Sequence, residues 1–275
     1  MYLDVADLRT FYDLPLGRLL RSLVGGRIRA LWPSLKGQSM LGVGYAGPFL
    51  RPYLDEAERC VAAMPGPQGV VAWPRERDNA AVLVDEAHLP FSDALFERAL
   101  VVHALDLSGD PAAMLREVWR VLAPGGRVIV VVPNRRGLWS QSETSPFGYG
   151  RPYSRGQIQG LLKTCQFDVT ANEEALFLPP TRARMVLRSA RTWEAAGRRL
   201  WPAFAGLLLV EAEKRIYRGL PVEEGPRVLR VLRPVFIPEG AATGLRPAGP
   251  EPSRLTVSTG TPPVRRPDST ATTAR

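Results

Sequence analysis

Lysine is almost missing from this chain of 275 residues: Lys36, Lys163 and Lys214 are the only three among 36 basic residues. Cysteine is as scarce, with Cys60 and Cys165 alone, which excludes a disulfide framework and a Cys-built zinc site. His88 and His103 are the only histidines, so a metal enzyme would have to rely on carboxylates. No apolar run approaches the roughly 20 residues needed to span a bilayer. Met1, Tyr2, Leu3 and Asp4 carry no basic region followed by an apolar stretch, so the expected location is the cytoplasm. The remaining basic residues are all Arg and are spread along the whole chain, giving a net charge of +9. Such dispersion, alongside abundant Ala, Gly and Pro, reads as codon bias and argues against an electrostatic footprint on nucleic acid.

What is present is a sizeable apolar fraction, 45%, arranged in two periodicities. Leu16, Leu19, Leu20, Leu23 and Val24 form a helical stripe, with Arg18 and Arg21 on the other side; Gly25-Gly26 are expected to weaken or break it, with a second turn resuming through Ile28 and Leu31 until Pro33. From Ser39 the pattern alternates between strand and helix. Strands are expected at Ser39–Val43, Gly69–Trp73, Ala81–Val84, Phe96–His103, Val128–Val132, from Phe167 to Val169 or a little beyond, and Ala205–Val210. Helices are expected at Phe49–Met64, after the Asp110-Pro111 cap, after the Ser154–Gln157 capping box, and around Met185–Leu200. Alternation of this kind implies a parallel sheet covered on both faces. Residues 218–275 hold ten Pro, nine Arg and one aromatic, Phe236, a composition expected to stay mostly disordered, with Val228–Ile237 as a segment that could dock. Three parts follow: a helical segment over 1–35, a folded domain over 36–217, and the tail.

The first strand runs into Leu41-Gly42-Val43-Gly44-Tyr45-Ala46-Gly47-Pro48, where Gly42, Gly44 and Gly47 fit G-x-G-x-x-G. Glycine at such a turn admits a ligand close to the backbone, or simply allows a tight strand-to-helix turn. A nicotinamide enzyme would also want an acid after the second strand and a catalytic pair, yet no Tyr-x-x-x-Lys occurs.

Three segments in order decide the matter. They are the glycine turn, Asp85 to Glu97 after the third strand, and Val101 to Leu107 followed by Leu115 to Arg127, which ends Arg120-Val121-Leu122-Ala123-Pro124-Gly125-Gly126-Arg127. Together they resemble the class I S-adenosylmethionine-dependent methyltransferases, most closely the small type 11 branch, over roughly residues 36–217. The resemblance implies a Rossmann-like α/β fold, seven strands in the order 3-2-1-4-5-7-6 with the last antiparallel and helices on both faces. It implies S-adenosylmethionine as cofactor, with Gly42, Gly44 and Ala46 in the first motif and Gly44 beside its methionine part. Asp85 would accept from the adenine amino group, near the backbone of Glu86 and Ala87. His103 would face cofactor or acceptor.

The sequence departs from the family at the two usual acidic positions, which fall on Gly42 and, after the expected second strand, on Trp73-Pro74; Glu76 or Asp78 could substitute from the loop. The loop Arg135–Tyr153 offers Trp139, Phe147 and Tyr149 as acceptor contacts over the strand ends. The function implied is methyl transfer to an unidentified small-molecule acceptor, without nucleic acid as partner. The alternative is a non-catalytic binding or scaffolding protein on the same fold. Oligomeric state is left open.

Overall fold

The computed structural model describes residues 3–181 and 183–216. The tail expected over 218–275, with Val228–Ile237, lies outside the described residues. Seven strands form one sheet: β1 (Ser39–Gly44), β2 (Arg59–Pro65), β3 (Ala81–Val84), β4 (Phe96–Val102), β5 (Leu122–Pro133), β6 (Phe167–Ala175) and β7 (Leu207–Lys214). Their order is β3-β2-β1-β4-β5-β7-β6. The first five are parallel, while β7 runs antiparallel to both β5 and β6. The fold is the expected Rossmann-like one.

Period-two alternation splits the buried strand residues between two cores. Met40, Leu100, Val102, Ile129, Val131, Leu207 and Leu209 face one side. Leu41, Val43, Ala99, Val101, Val128, Val130 and Val132 face the other. The first side is covered by α1 (Val5–Asp13), α2 (Pro15–Leu31), α3 (Gly47–Leu50), α6 (Arg184–Arg188) and α7 (Ala190–Leu200). The second is covered by α4 (Pro111–Val121) and α5 (Arg155–Thr164). Both faces being covered explains strands that read as near-continuous apolar runs.

Two caps form as the sequence predicts. Asp110 accepts from the Ala112 and Ala113 amides at 3.1 and 2.9 Å. Ser154 and Gln157 make both bonds of the capping box. Four expectations are corrected. Helix α2 runs unbroken through Gly25-Gly26, because Leu16, Leu20, Val24 and Ile28, spaced by four, are buried on both sides of the pair. That packing exceeds a glycine penalty of about 1 kcal/mol per residue. The helix expected over Phe49–Met64 is only α3 and a 3₁₀ turn at Arg51–Tyr53, and the second strand is Arg59–Pro65 rather than Gly69–Trp73. The run Cys60-Val61-Ala62-Ala63-Met64 is apolar throughout, so periodicity cannot tell a buried strand from a helix, and pairing with β1 decides it. Finally, the helix expected around Met185–Leu200 is two helices, α6 and α7.

Charged side chains lock the margins. The Arg120 guanidinium bonds Glu117, Asp93 and the carbonyls of Phe91 and Leu89, fixing the β3–β4 connection to α4. Lys214 is buried, donates from Nζ to the carbonyl of Leu122 at 2.6 Å and lies 4.0 Å from the Trp119 ring centroid. Replacing it leaves a buried acceptor unsatisfied. Lys214→Met is expected to lose about 1–3 kcal/mol in urea unfolding, whereas Lys163→Met on the exposed face of α5 should change stability by less than about 0.5 kcal/mol.

Candidate active site

The carboxyl ends of β1, β2 and β4 meet beside the point where strand order reverses, the place where open α/β sheets bind ligands. Gly44 ends β1 with φ +81°, and a Cβ there would sit 2.3 Å from the Val102 carbonyl oxygen. Only glycine allows that approach. A Cβ at Gly42 would lie 2.6 Å from Leu50, and one at Gly47 would lie 3.0 Å from the Trp73 indole. Ala46 is fully buried. The first-motif residues are thus packed against β4, α3 and Trp73.

Immediately after β4 the backbone of His103 takes φ +51°, a left-handed conformation costing about 1–2 kcal/mol outside glycine. Its side chain is fully buried, with Nε2 2.8 Å from the Tyr12 hydroxyl and its ring tilted against Phe147 at a centroid distance of 4.2 Å. The Gln68 side-chain amide donates to the His103 carbonyl at 2.9 Å. Tyr12 in turn stacks on Tyr45 and meets Phe49 edge-on. Helix α1 therefore closes over the strand ends, held there by Leu8, Phe11 and Tyr12.

The packed region at these strand ends is short of hydrogen-bond partners. Six buried side-chain polar atoms among the described residues lack one, and four are here: Gln68 Oε1, His103 Nδ1 and both carboxylate oxygens of Asp106. Burial pushes the His103 imidazole down to about 3 and the Asp106 carboxyl up to about 7. Burial also raises the Tyr12 phenol well above its ordinary range, with Tyr45 and Asp106 adding to it. Burial disfavours the charged form of all three, leaving the imidazole and the phenol neutral and the Asp106 carboxyl near its midpoint at neutral pH.

Beyond β3 lies an open groove of about 640 Å³, lined by Gly66, Pro67, Leu83, Asp85, Glu86, Ala87 and neighbours. Asp85 is exposed, accepts from the Ala87 amide at 2.9 Å and pairs with His88, which together hold its carboxyl below the usual range, the His88 bond contributing most. Glu86 accepts from the Ser108 hydroxyl at 2.6 Å. The structure brings Asp85, Glu86 and Ala87 together, but Gly42, Gly44 and Ala46 do not line this groove.

In the loop after β5, Trp139 is interior and donates from Nε1 to the Leu178 carbonyl at 2.8 Å. Phe147 is buried against His103. Only Tyr149 is exposed, its hydroxyl donating to the Glu143 carbonyl. The loop is pinned by its own aromatics. Because β2 ends at Pro65, the position after that strand belongs to Gly66-Pro67-Gln68, not Trp73-Pro74, and Glu76 is paired with Arg51 at 2.8 Å.

Sequence reasoning missed Tyr12, Gln68 and Asp106. An acid inside the apolar run Val101–Leu107 is a readable signal for Asp106; Gln68 carries none. One consequence concerns pH. The unfolded chain protonates His103 near 6.5 and the folded chain near 3, so this residue lowers stability as pH falls through that window. Asp106 acts oppositely between about 4 and 7 and is unchanged in the variant. His103→Gln should therefore lose less stability than the parent between pH 6.5 and 4.5, measured as the difference between their thermal melting profiles.

The family model for the methyltransferase domain matches residues 40–130, from β1 into β5. An uncharacterized protein of Mycobacterium tuberculosis is 28% identical over 204 residues, covering 70% of this chain and 69% of that protein. The demethylmenaquinone methyltransferase of Corynebacterium kroppenstedtii is 42% identical over 62 residues, 22% of this chain and 27% of that enzyme. A SAM-dependent methyltransferase of Thermotoga maritima, reported as a possible histamine N-methyltransferase, superposes with a TM-score of 0.56 at 17% identity, covering 77% of this chain and 96% of that one, a likeness of fold. The glycine turn, Asp85 and the Pro-Gly-Gly segment all fall inside the span that the methyltransferase domain model matches.

Proposed function

We propose that this chain is an S-adenosylmethionine-dependent methyltransferase acting on a small molecule, and that its cofactor site spans the open groove beyond β3 and a space beneath α1. One observation carries the reading. Buried Gln68 Oε1 and His103 Nδ1 stand without partners at the strand ends, beside the groove that holds Asp85, Glu86 and Ala87. Unpaired buried polar atoms cost roughly 1–3 kcal/mol each and call for a polar group to meet them. S-adenosylmethionine fits that requirement, with its adenosine toward the groove and its amino-acid end toward the space beneath α1.

In that arrangement Asp85 accepts from the adenine edge, helped by the backbone of Glu86 and Ala87. Gly44 keeps β1 and β4 close enough for Gln68 and His103 to share one region. Phe147 and Tyr45 exclude water. The cofactor supplies a methyl already activated on sulfonium, so the protein's part is alignment and dryness rather than a general base. His103, held neutral, serves as a hydrogen-bonding group and not as a cation.

Helix α1 covers this space, so binding requires it to lift. Nine residues make a helix that is marginal on its own, and its hold is the burial of Leu8, Phe11 and Tyr12. A small acceptor is supported by the apolar cavity of about 230 Å³ next to α1, lined by Phe11, Leu14, Pro15, Leu16, Thr144 and Leu187, which has the size of a ring or short chain.

Calorimetric titration with S-adenosylmethionine and S-adenosylhomocysteine tests the reading. The full chain should bind both, Asp85→Ala should bind at least about tenfold more weakly, and hydrogen exchange over residues 5–13 should rise on binding. Absence of heat at millimolar ligand overturns it and leaves the binding or scaffolding alternative.

A further inference from the structure

We propose that Asp106 is the anion that replaces the acid missing at Gly42, and that it receives the cationic amino-acid end of the cofactor. This rests on the reading of the chain as a cofactor-binding methyltransferase.

The family places its acidic residue at the position of Gly42, where here a side chain has no room: a Cβ would meet Leu50 at 2.6 Å and Ala46 at 2.8 Å. The negative charge reappears elsewhere in this packed region. Asp106 is 3% exposed and neither carboxylate oxygen has a partner. No cation among the described residues pairs with it, since Arg151 contributes only its backbone amide, and to the Asp106 carbonyl. Nor is the carboxylate there by default of space. The backbone gives way to it: a Cβ at Gly150 would lie 2.4 Å from Asp106 Oδ2. It stands three residues beyond His103, in the same turn, and near enough to Tyr12 to act on that phenol through space.

A buried acid with four lone-pair sites and no donor is the complement of an ammonium group, which brings three N–H donors and a charge. Before a ligand enters, burial alone holds the carboxyl up at about 7. Gln68 Oε1 and His103 Nδ1 supply further polar partners within the same region. When Tyr12 withdraws with α1, the ammonium donates to Asp106 and the sulfonium lies in the field of the same carboxylate.

A role in ligand binding and a role in packing predict opposite signs for one substitution. Asp106→Asn keeps the shape and removes the buried charge, so at pH 8 the unliganded variant should melt at a higher temperature than the parent. The same variant should bind S-adenosylmethionine and S-adenosylhomocysteine more than tenfold more weakly. Its affinity for 5′-methylthioadenosine, which has the adenosyl group and neither cation, should be unchanged. Equal affinity of parent and variant for S-adenosylhomocysteine overturns the proposal, as does an equal loss with methylthioadenosine. Should the parent itself bind none of the three, the reading of the site falls and this inference with it.

Discussion

The contact between the turn after β1 and the end of β4 governs the region above the sheet. With Gly44 at φ +81°, the first strand stops hard against the Val102 carbonyl, and β4 leaves the sheet at once through the left-handed backbone of His103. Any Cβ at Gly44 would push the two strand ends apart. That single approach sets where His103, Gln68 and Asp106 stand, and so decides how much polar surface is buried without a partner.

Burial then sets the chemistry of this region. Around neutral pH the imidazole is neutral, Tyr12 keeps its proton, and Asp106 sits near its own midpoint. Raising the carboxyl that far reduces the charge buried without a counter-ion, which is how the resting chain tolerates an unpaired acid. The balance shifts when a cation arrives, because ionised Asp106 then has a partner in a medium of low dielectric. Helix α1 is the element that separates these two conditions, and it is short and held mainly by three side chains.

The legible and illegible parts of the chain divide along a physical line. Strands β1, β3 and β4, helix α4 with its Asp110 cap, and the Ser154–Gln157 box announce themselves through local signals: alternation, an N-cap acid, a proline at the first helical position. The apolar stripe announces helix α2 as well, but not its continuity, since two glycines inside it read as a weak point or a break until packing on both sides is known. The second strand was hidden for a related reason, an apolar run whose identity depends on pairing with β1. Asp85, Glu86 and Ala87 were legible as a group because they are contiguous. Tyr12, Gln68 and Asp106 come from three distant segments, and no spacing in the chain connects them.

Composition and local pattern thus determined the fold class, the strand order through family resemblance, the caps, and the scarcity of thiols and lysines. Tertiary structure alone decided that the glycine turn packs inward, that Trp73 rests on Gly47, and that Phe147 lies on His103 instead of lining a lid. Local signals depend on neighbours a few residues away and are written in the sequence. Burial without a partner depends on which distant groups arrive at the same place, and that exists only once the chain has folded.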